Sequence, residues 1–387
     1  MFKTFEALIP DQNLQIFISA SVAIAIVLRS IPIIINICNL KSLMANPVKR
    51  SSHSNPTPTF GGVAIFAGTL IGYMIWNFGD EGVLIHKLWA GTIILFFLGI
   101  KDDLYALSPT KKLISQVIAS SLVVIGSDLR ISDFFGIFGI GDIPYLISVV
   151  FTIFMFVALI NAFNLIDGID GLAGGIGMIA TGGFGLWFLL NEHWSLACIG
   201  LCLSASLAGF LRYNFSQNNK IFMGDTGSLI VGYITTILAV KFVHLNTTYA
   251  FAPHTSFVSA PIIAVVMLIV PIFDTLRVFS IRILRGKSPF KADRIHLHHL
   301  MIDNGMSHFW ASFTLSASTV FLTVITYTGR LYFTNTQLCF FIIFLFVGYV
   351  ILGNLLEVRR LELAKANARA EQSSPNGLSL EKSINPN

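Results

Sequence analysis

The chain has 387 residues, of which 54% are hydrophobic and only 12% are charged. These proportions exclude an average soluble domain, in which about 25% of residues are charged. The net charge of +5 does not indicate nucleic-acid binding, because most basic residues lie in short loops between apolar runs, a pattern that reflects membrane topology. Composition therefore predicts an all-α polytopic membrane protein.

Apolar runs long enough to cross the hydrocarbon core, which takes about 20 residues, recur along the chain. We predict eleven transmembrane helices, over approximately residues 14–39, 60–79, 88–101, 112–127, 143–163, 172–190, 195–213, 228–245, 258–281, 309–328 and 335–355. The third and fourth runs are short, so the count carries an error of about one. The first run is too long for a removable signal peptide and should remain as a span.

Lysine and arginine are concentrated in alternate loops, which predicts the orientation. Most of them lie in the loops 40–59, 101–112, 212–227 and 282–308, while the opposite loops hold mainly Lys87, Arg130 and Arg330. The positive-inside rule then places the amino terminus in the periplasm and the carboxyl terminus in the cytoplasm. We expect one integral membrane domain over 1–358 and a polar cytoplasmic tail over 359–387, which starts with residues that could form a short helix and is then disordered.

Carboxylates gather at the ends of apolar runs on the predicted cytoplasmic side. They are Asp102, Asp103, Asp167, Asp170, Asp225 and Asp274. Any one of them could simply be solvated, but an adjacent pair such as Asp102 and Asp103 is tolerated only where water, a cation or a metal compensates the repulsion. Asp167 and Asp170 are three residues apart, so on a helical turn both could face one cation.

Asp225 is the best candidate for a metal ligand. It lies between Gly224 and Gly227 at the start of an apolar run, where the backbone could approach a phosphate closely. Mg²⁺ prefers oxygen ligands and typically takes one or two carboxylates together with substrate phosphates. The alternative is a glycine-rich turn that Asp225 merely caps.

A histidine cluster follows in the sequence Arg294-Ile-His296-Leu-His298-His299, within a basic loop. Imidazoles at this spacing could bind zinc. The surrounding arginines and lysines oppose a cation, however, and favour a phosphate or a sugar diphosphate.

Five motifs in this order resemble the bacterial polyprenyl-phosphate N-acetylhexosamine-1-phosphate transferases. They are PTPTFGG, GIKDDL, NAFNLIDGIDGLAGG, IFMGDTGSL and SPFKADRIHLHH, within roughly residues 40–310. The resemblance implies transfer of an N-acetylhexosamine 1-phosphate from a UDP-sugar to undecaprenyl phosphate, with release of UMP and with Mg²⁺ or Mn²⁺ as cofactor. It further implies the first membrane step of cell-envelope polysaccharide synthesis, at the cytoplasmic face of the bacterial inner membrane.

The resemblance also assigns roles to single acids. Asp102 and Asp103 match the family's catalytic pair, and Asp167 and Asp170 match its second acidic motif. Asp225 matches the metal-binding position, with Asp167 as a second metal ligand. The active-site loops are then 40–59, 101–112, 161–172, 212–228 and 282–308.

The remaining assignments concern substrate binding. His296, His298 and His299 match the motif for the nucleotide-sugar phosphates, and the form His-x-His-His preceded by Arg294 is similar to the N-acetylglucosamine branch rather than the muramoyl-pentapeptide branch. The further expected substrate contacts are Asn164, Asn214, Lys111, Lys112 and Gly224. The segment between Asn214 and the FMGD motif is one residue longer than the family's pattern, so the position of Asn214 relative to Asp225 differs from that pattern.

A lipid phosphate monoester has a second pKa of about 6, so at neutral pH it is mostly dianionic. The harder task is to bring it to a sugar diphosphate, and a metal on Asp225 with Lys111, Lys112 and the histidines would supply the positive charge. We predict direct in-line attack, with Asp102 or Asp103 orienting or deprotonating the lipid phosphate. A covalent aspartyl phosphate is the alternative.

A transporter is the main alternative outside enzymology, since many spans with glycine and proline suit alternating access. A transporter should carry its charged residues near the membrane midplane. Here Asp274 and Arg277 are the only close acid and base inside an apolar run, and the remaining acids gather at one face. The expected partners are UDP-N-acetylhexosamine, undecaprenyl phosphate and membrane lipid, without nucleic acid, and a homodimer is compatible with the sequence. The downstream polymer is not specified.

Overall fold

The structure is a computed structural model that describes residues 9–44, 56–248, 258–286, 288 and 294–373. The described chain is mainly helical, with one short hairpin. In order, the elements are α1 (Gln12–Lys41), α2 (Gly61–Met74), α3 (Gly82–Leu104), α4 (Pro109–Val124), β1 (Asp133–Ile137), β2 (Ile140–Asp142), α5 (Tyr145–Ile166), α6 (Leu172–Leu190), α7 (Trp194–Asn214), α8 (Gly224–Thr248), α9 (Ala260–Met267), α10 (Ile269–Leu284), α11 (Leu297–Asp303), α12 (His308–Gly329) and α13 (Asn335–Ser373).

Each predicted apolar run coincides with a helix or a pair of helices, in agreement with a helical polytopic membrane protein. Within the described residues, eight helices are long and apolar enough to cross a membrane: α1, α3, α5, α6, α7, α8, α12 and α13. The helices α2 and α4 have only 14 and 16 residues. The count of eleven spans and the orientation of the termini therefore stay predictions.

The run over 258–281, predicted as one span, is instead two helices. The helices α9 and α10 are bent by 75° relative to each other at Leu268, whose backbone is not helical. Pro271 contributes to this break, because it has no N–H to donate to the preceding turn. Counted as one span, the pair raises the number of spans to nine. Both halves are apolar, so the hydropathy pattern does not mark the bend, and Pro271 is the feature of the sequence that could have indicated it.

Two further observations concern the segment after α4 and the carboxyl-terminal tail. The segment between α4 and α5 forms an antiparallel hairpin, β1 with β2, that the apolar pattern did not predict. The helix α13 continues to Ser373, so the short helix expected at the start of the tail forms as a continuation of α13. Glutamate, leucine, alanine and lysine, which favour helix, are frequent there. Residues 374–387 lie outside the described residues.

Close glycine contacts bring α2 and α3 against the first turn of α8. A Cβ on Gly62 would lie 2.1 Å from the amide nitrogen of Gly227, and a Cβ on Gly99 would lie 2.3 Å from Cα of Thr226. No larger residue permits this approach. Because Gly99 is one helical turn before the acidic pair of α3, the contact places that pair beside Asp225.

The PTPTFGG motif completes this arrangement. The carbonyl of Pro58 accepts the N–H of Phe222 at 2.8 Å, and Gly61 donates to the carbonyl of Phe222 at 2.9 Å. Gly62 donates to Met223 at 2.9 Å. The motif is therefore bound by main-chain hydrogen bonds to the segment that leads into α8.

Candidate active site

Asp103, at the end of α3, fixes the first turn of α8. Its carboxylate accepts the N–H groups of Asp225 at 2.7 Å and of Thr226 at 3.1 Å, together with the Thr226 hydroxyl at 2.6 Å. The first N–H groups of a helix have no partner within the helix, and its dipole favours an anion there. Asp103 thus caps α8 from a neighbouring helix and sets the position of Asp225.

Lys112 links the other acid of the pair to Asp225. Asp102 accepts the N–H of Leu107 at 2.6 Å and forms an ion pair with Lys112. The same ammonium lies 2.5 Å from Oδ2 of Asp225. From the last turn of α5, Asn164 donates to Oδ1 of Asp225 at 2.9 Å. Four residues, three of them from different motifs and Lys112 from α4, therefore meet in one cluster, which we call the acid cluster: Asp102, Lys112, Asn164 and Asp225.

Asp167 is half-buried at the end of α5 and faces the acid cluster. Across the residues that the structure describes, no hydrogen bond or ion pair reaches its carboxylate. Burial raises the pKa of Asp167 well above its ordinary value, and the negative charges of Asp225, Asp103 and Asp170 raise it further. A carboxylate among like charges is stabilised when a cation joins it, so this position suits a cation ligand.

Asp170 faces away from the acid cluster. Its Oδ2 lies 2.6 Å from the ammonium of Lys220 and 3.0 Å from Nδ1 of His308. The expectation that Asp167 and Asp170 face one cation rested on a helical turn. Here α5 ends at Ile166, and the turn ends at Gly171 with a left-handed φ of 79°, so the two residues do not share a helical face, and the ion pairs of Asp170 go to Lys220 and His308.

Two of the expected substrate contacts pack beneath the site. Asn214 is buried; it accepts the N–H of Gly171 at 2.6 Å and donates to the carbonyl of Ile221 at 2.9 Å. Gly224 has a φ of 70°, and a Cβ there would lie 2.1 Å from the carbonyl oxygen of Thr59. Both residues shape the loops, and their contacts with substrate stay predictions.

Lys111 and Lys112 differ sharply although they are neighbours. Lys112 bridges two carboxylates, whereas Lys111 is exposed and has no ion pair within the described part of the chain. Successive residues of a helix point about 100° apart, so only one of them can face the acid cluster.

The histidines lie on and beside α11, against the turn that carries Asp167. A Cβ on Gly168 would lie 2.6 Å from Nε2 of His298 and 3.1 Å from Nε2 of His299. Burial lowers the pKa of His298, and burial together with His298 and Arg294 lowers the pKa of His299 to about 2. Both rings are therefore neutral at pH 7 in the protein without ligand.

The histidines rest on residues to which sequence analysis gave no role in the site. Asp274 of α10 contacts His296 and the backbone of Leu297, while Arg277 binds the carbonyl of Ile295. The signal for them was present, since charged residues inside an apolar run are costly and often functional. Two other contacts gave no sequence signal: Lys220 and His308 on Asp170.

Arg294 is fixed by α13. It forms an ion pair with Asp303 at 2.9 Å, and Arg360 contacts both Asp303 at 3.3 Å and the carbonyl of Arg294 at 3.0 Å. The helical extension of α13 thus takes part in holding the loop before α11.

Comparison with known proteins gives consistent relatives. Residues 85–243 match the model of the family described as "Glycosyl transferase family 4". The chain is 31% identical to a probable undecaprenyl-phosphate N-acetylglucosaminyl 1-phosphate transferase of Bacillus subtilis, over 78% of this chain and 81% of the relative. It is 31% identical to the undecaprenyl-phosphate alpha-N-acetylglucosaminyl 1-phosphate transferase of Pasteurella multocida, over 80% and 84%. A decaprenyl-phosphate N-acetylglucosaminephosphotransferase of Mycobacterium tuberculosis is 30% identical, over 68% and 70%.

Proposed function

The chain belongs to glycosyl transferase family 4, among the polyprenyl-phosphate sugar-1-phosphate transferases, and we propose that it transfers N-acetylglucosamine 1-phosphate from UDP-N-acetylglucosamine to undecaprenyl phosphate, releasing UMP. The observation that carries this proposal is the convergence of Asp102, Lys112, Asn164 and Asp225 beside the histidine-bearing helix α11. The basic loops support a site that faces the cytoplasm from the inner membrane.

The main physical obstacle is repulsion between two anionic substrates. The acceptor phosphate is mostly dianionic at neutral pH, so it is already a competent nucleophile toward the β-phosphorus of the donor. Lys112 and Asn164 offer N–H donors beside the acids, and such charge-assisted bonds to phosphate oxygens are strong. The chain's own contribution is therefore to orient and neutralise the phosphates.

The acidic pair is better suited to positioning than to proton abstraction. Asp103 already accepts three hydrogen bonds, and Asp102 accepts one from Leu107 while pairing with Lys112. Little deprotonation is needed, because the acceptor phosphate carries its charge beforehand. These contacts favour direct in-line attack over a covalent aspartyl phosphate.

We further propose Mg²⁺, or Mn²⁺ in its place, as cofactor, held by Asp225 and Asp167. Among the described residues no three His, Cys, Asp or Glu side chains converge as cation ligands. Mg²⁺ does not need them, since one or two carboxylates with phosphate and water suffice. The carboxylate of Asp167, which faces Asp225 and has no ion pair or hydrogen bond among the described residues, fits such an ion. When bound, the ion would neutralise charge on the diphosphate.

The test is UMP release by the purified full-length protein in detergent with Mg²⁺. We expect UMP from UDP-N-acetylglucosamine only when undecaprenyl phosphate is present, and labelled sugar phosphate should appear in the lipid. UDP-N-acetylgalactosamine and UDP-N-acetylmuramoyl-pentapeptide serve as competing donors. If no donor gives lipid-dependent UMP, the enzyme proposal is refuted; preference for the pentapeptide donor would refute the proposed sugar.

A further inference from the structure

We propose that Asp274 is a positioning residue for donor binding, which holds His296 and His298 in one tautomer and one orientation with Nε2 available to the donor. The inference rests on the proposed function, because it assigns the histidines to the donor diphosphate. Asp274 lies in α10, a helix that contains no part of the five sequence motifs.

The first observation is the set of contacts around the Asp274 carboxylate, which is 1% exposed. Oδ2 lies 2.7 Å from Nδ1 of His296, and Oδ1 accepts the N–H of Leu297 at 2.8 Å. The hydroxyl of Tyr349 also lies 3.3 Å from Oδ1. An ionised carboxylate only accepts hydrogen bonds, so the His296 nitrogen that faces it carries the proton. Nε2 is then the nitrogen that faces a ligand, and it binds an anionic phosphate oxygen by taking up a proton, because both ring nitrogens donate only in the imidazolium.

His298 shares the same carboxylate. Its Nδ1 lies 3.6 Å from Oδ2 of Asp274, and its ring stacks on that of His296 with centroids 5.5 Å apart. The opposite nitrogen, Nε2, is buried and has no hydrogen-bond partner in the part of the chain that the structure describes. It points at Gly168, the residue after Asp167. A buried polar atom without a partner calls for an explanation, and a ligand at this turn supplies one.

Arg277, the next charged residue of α10, fixes the backbone of the histidine loop, by which we mean residues 294–299. Arg277 is fully buried and donates to the carbonyl of Ile295 at 2.6 Å. Its guanidinium lies so close to α13 that a Cβ on Gly353 would be 2.1 Å from Nε. Asp274 and Arg277 therefore hold the loop by its side chains and by its main chain.

A carboxylate behind an imidazole is a recurring device. It fixes the tautomer and the orientation of the ring, and it balances positive charge on the ring when the other nitrogen binds an anion. For histidines that bind metals, loss of such a partner typically costs about 10–100-fold in affinity or activity, and we take this as the scale for a bound phosphate. We therefore expect Asp274 to determine donor affinity rather than acceptor affinity.

The experiment measures binding of UDP-N-acetylglucosamine to the full-length protein by calorimetry. In Asp274→Asn, the amide N–H faces an N–H group that the carboxylate now accepts, so one of the two hydrogen bonds to His296 and Leu297 is lost. The Kd for UDP-N-acetylglucosamine should therefore rise about 10–100-fold. The KM for undecaprenyl phosphate should stay within about twofold, because the lipid does not contact these rings in the proposal. An unchanged donor Kd in Asp274→Asn would overturn the inference.

Coupling separates positioning from general stability. If Asp274 acts through His296 and His298, adding Asp274→Asn to the variant His296→Ala/His298→Ala should weaken binding of the UDP-sugar little further, since effects of residues that act as a unit are not additive. Effects that multiply would contradict a positioning role. Asp80→Asn is the matched control: Asp80 accepts the N–H of Ser195 at 3.1 Å, at the other end of α3 from the acid cluster, and the donor Kd should not change.

Tyr349→Phe keeps the inference testable if Asp274→Asn does not fold. It removes only the 3.3 Å contact to Asp274, so the donor Kd should rise about threefold with an unchanged melting temperature; an unchanged Kd would count against the inference. Wild-type protein that binds UDP-N-acetylglucosamine without lipid-dependent UMP release would refute the proposed reaction alone. Wild-type protein that binds no UDP-sugar would refute both.

Discussion

The acid cluster and the histidine loop meet at the same turn, but they are built in opposite ways. At the acid cluster, Asp102 and Asp225 share one ammonium, and Asp167 faces them with no ion pair or hydrogen bond among the described residues. At the histidine loop, His296 and His298 lie against one fully buried carboxylate, Asp274. The acid cluster carries negative charge that a cation could compensate, whereas Asp274 already fixes the orientation of the histidine rings. We infer that the acid cluster governs the rate of transfer, whereas the histidine loop governs donor affinity.

The largest effect is expected at Asp225. Asp225→Asn removes the charge that Lys112 and Asn164 hold in place, and with it the proposed metal ligand. UMP release at saturating substrates should fall by about 100–1000-fold, comparable to removal of a group that stabilises developing charge. Chelation of Mg²⁺ should abolish the wild-type rate. If Asp225→Asn retained Mg²⁺-dependent turnover near the wild-type rate, the acid cluster would not govern the rate.

A smaller effect is expected at Lys112, with Lys111 as its matched neighbour. Lys112→Gln leaves Asp102 and Asp225 without their shared cation, so the rate should fall by about 30–100-fold. Lys111→Gln should reduce it much less, because Lys111 is exposed and contacts neither acid. Equal losses in the two variants would show that the bridge to Asp225 is not what matters. The measurement is initial UMP release at fixed Mg²⁺.

Asp167 gives a prediction about pH. Its pKa is raised in the folded protein above the ordinary carboxyl value of about 3.9. The folded state therefore holds the proton to higher pH than the unfolded state, so stability falls as pH rises through that window. Without metal, Asp167→Asn should melt roughly 2–4 °C above the wild type at pH 7, and the difference should shrink toward pH 4.

The control for Asp167→Asn is Asp128→Asn, whose carboxylate is 60% exposed beside Arg130; its melting temperature should follow the wild type at each pH. Adding Mg²⁺ should raise the melting temperature of the wild type more than that of Asp167→Asn. A metal-free Asp167→Asn protein less stable than the wild type at pH 7 would contradict the assignment of an uncompensated charge.

The smallest effect is expected at the edge of the histidine loop. Arg360→Ala removes a partly exposed contact to Asp303 and Arg294, so the donor KM should rise only about two- to threefold. Arg359→Ala is the matched control, since Arg359 has no ion pair or hydrogen bond within the described chain. A larger effect at Arg359 than at Arg360 would rule out the proposed contact. The measurement is donor KM at saturating lipid.

The two regions also differ in how far sequence could predict them. The acid cluster was predictable as a set, because its residues lie at the ends of apolar runs and the predicted topology gathers those ends on one face. How the acids divide their contacts was not predictable. Asp103 caps α8 while Asp102 pairs with Lys112, and this depends on the backbone approach at Gly99, which only packing reveals.

In the histidine loop, the histidines were predictable from their motif, whereas the residues that support the loop were not. Its support comes from Asp274 and Tyr349, on helices separated from α11 in the chain. Charge inside an apolar run marked Asp274 as unusual, but no pattern linked it to His296. The 75° bend at Leu268 was not marked by hydropathy, since both sides of it are apolar, and Pro271 was the local residue that could have indicated it. Long-range pairs and breaks between two apolar segments leave little trace in periodicity.

The division between rate and donor affinity can be measured in one set of titrations, which give donor Kd and the maximal rate of lipid-dependent UMP release for Asp225→Asn and Asp274→Asn. We expect Asp225→Asn to lower the rate by about 100-fold or more, with a metal-free donor Kd close to that of the wild type. Asp274→Asn should mainly raise donor Kd. The reverse pattern, with donor Kd lost at Asp225 and rate alone lost at Asp274, would contradict this division.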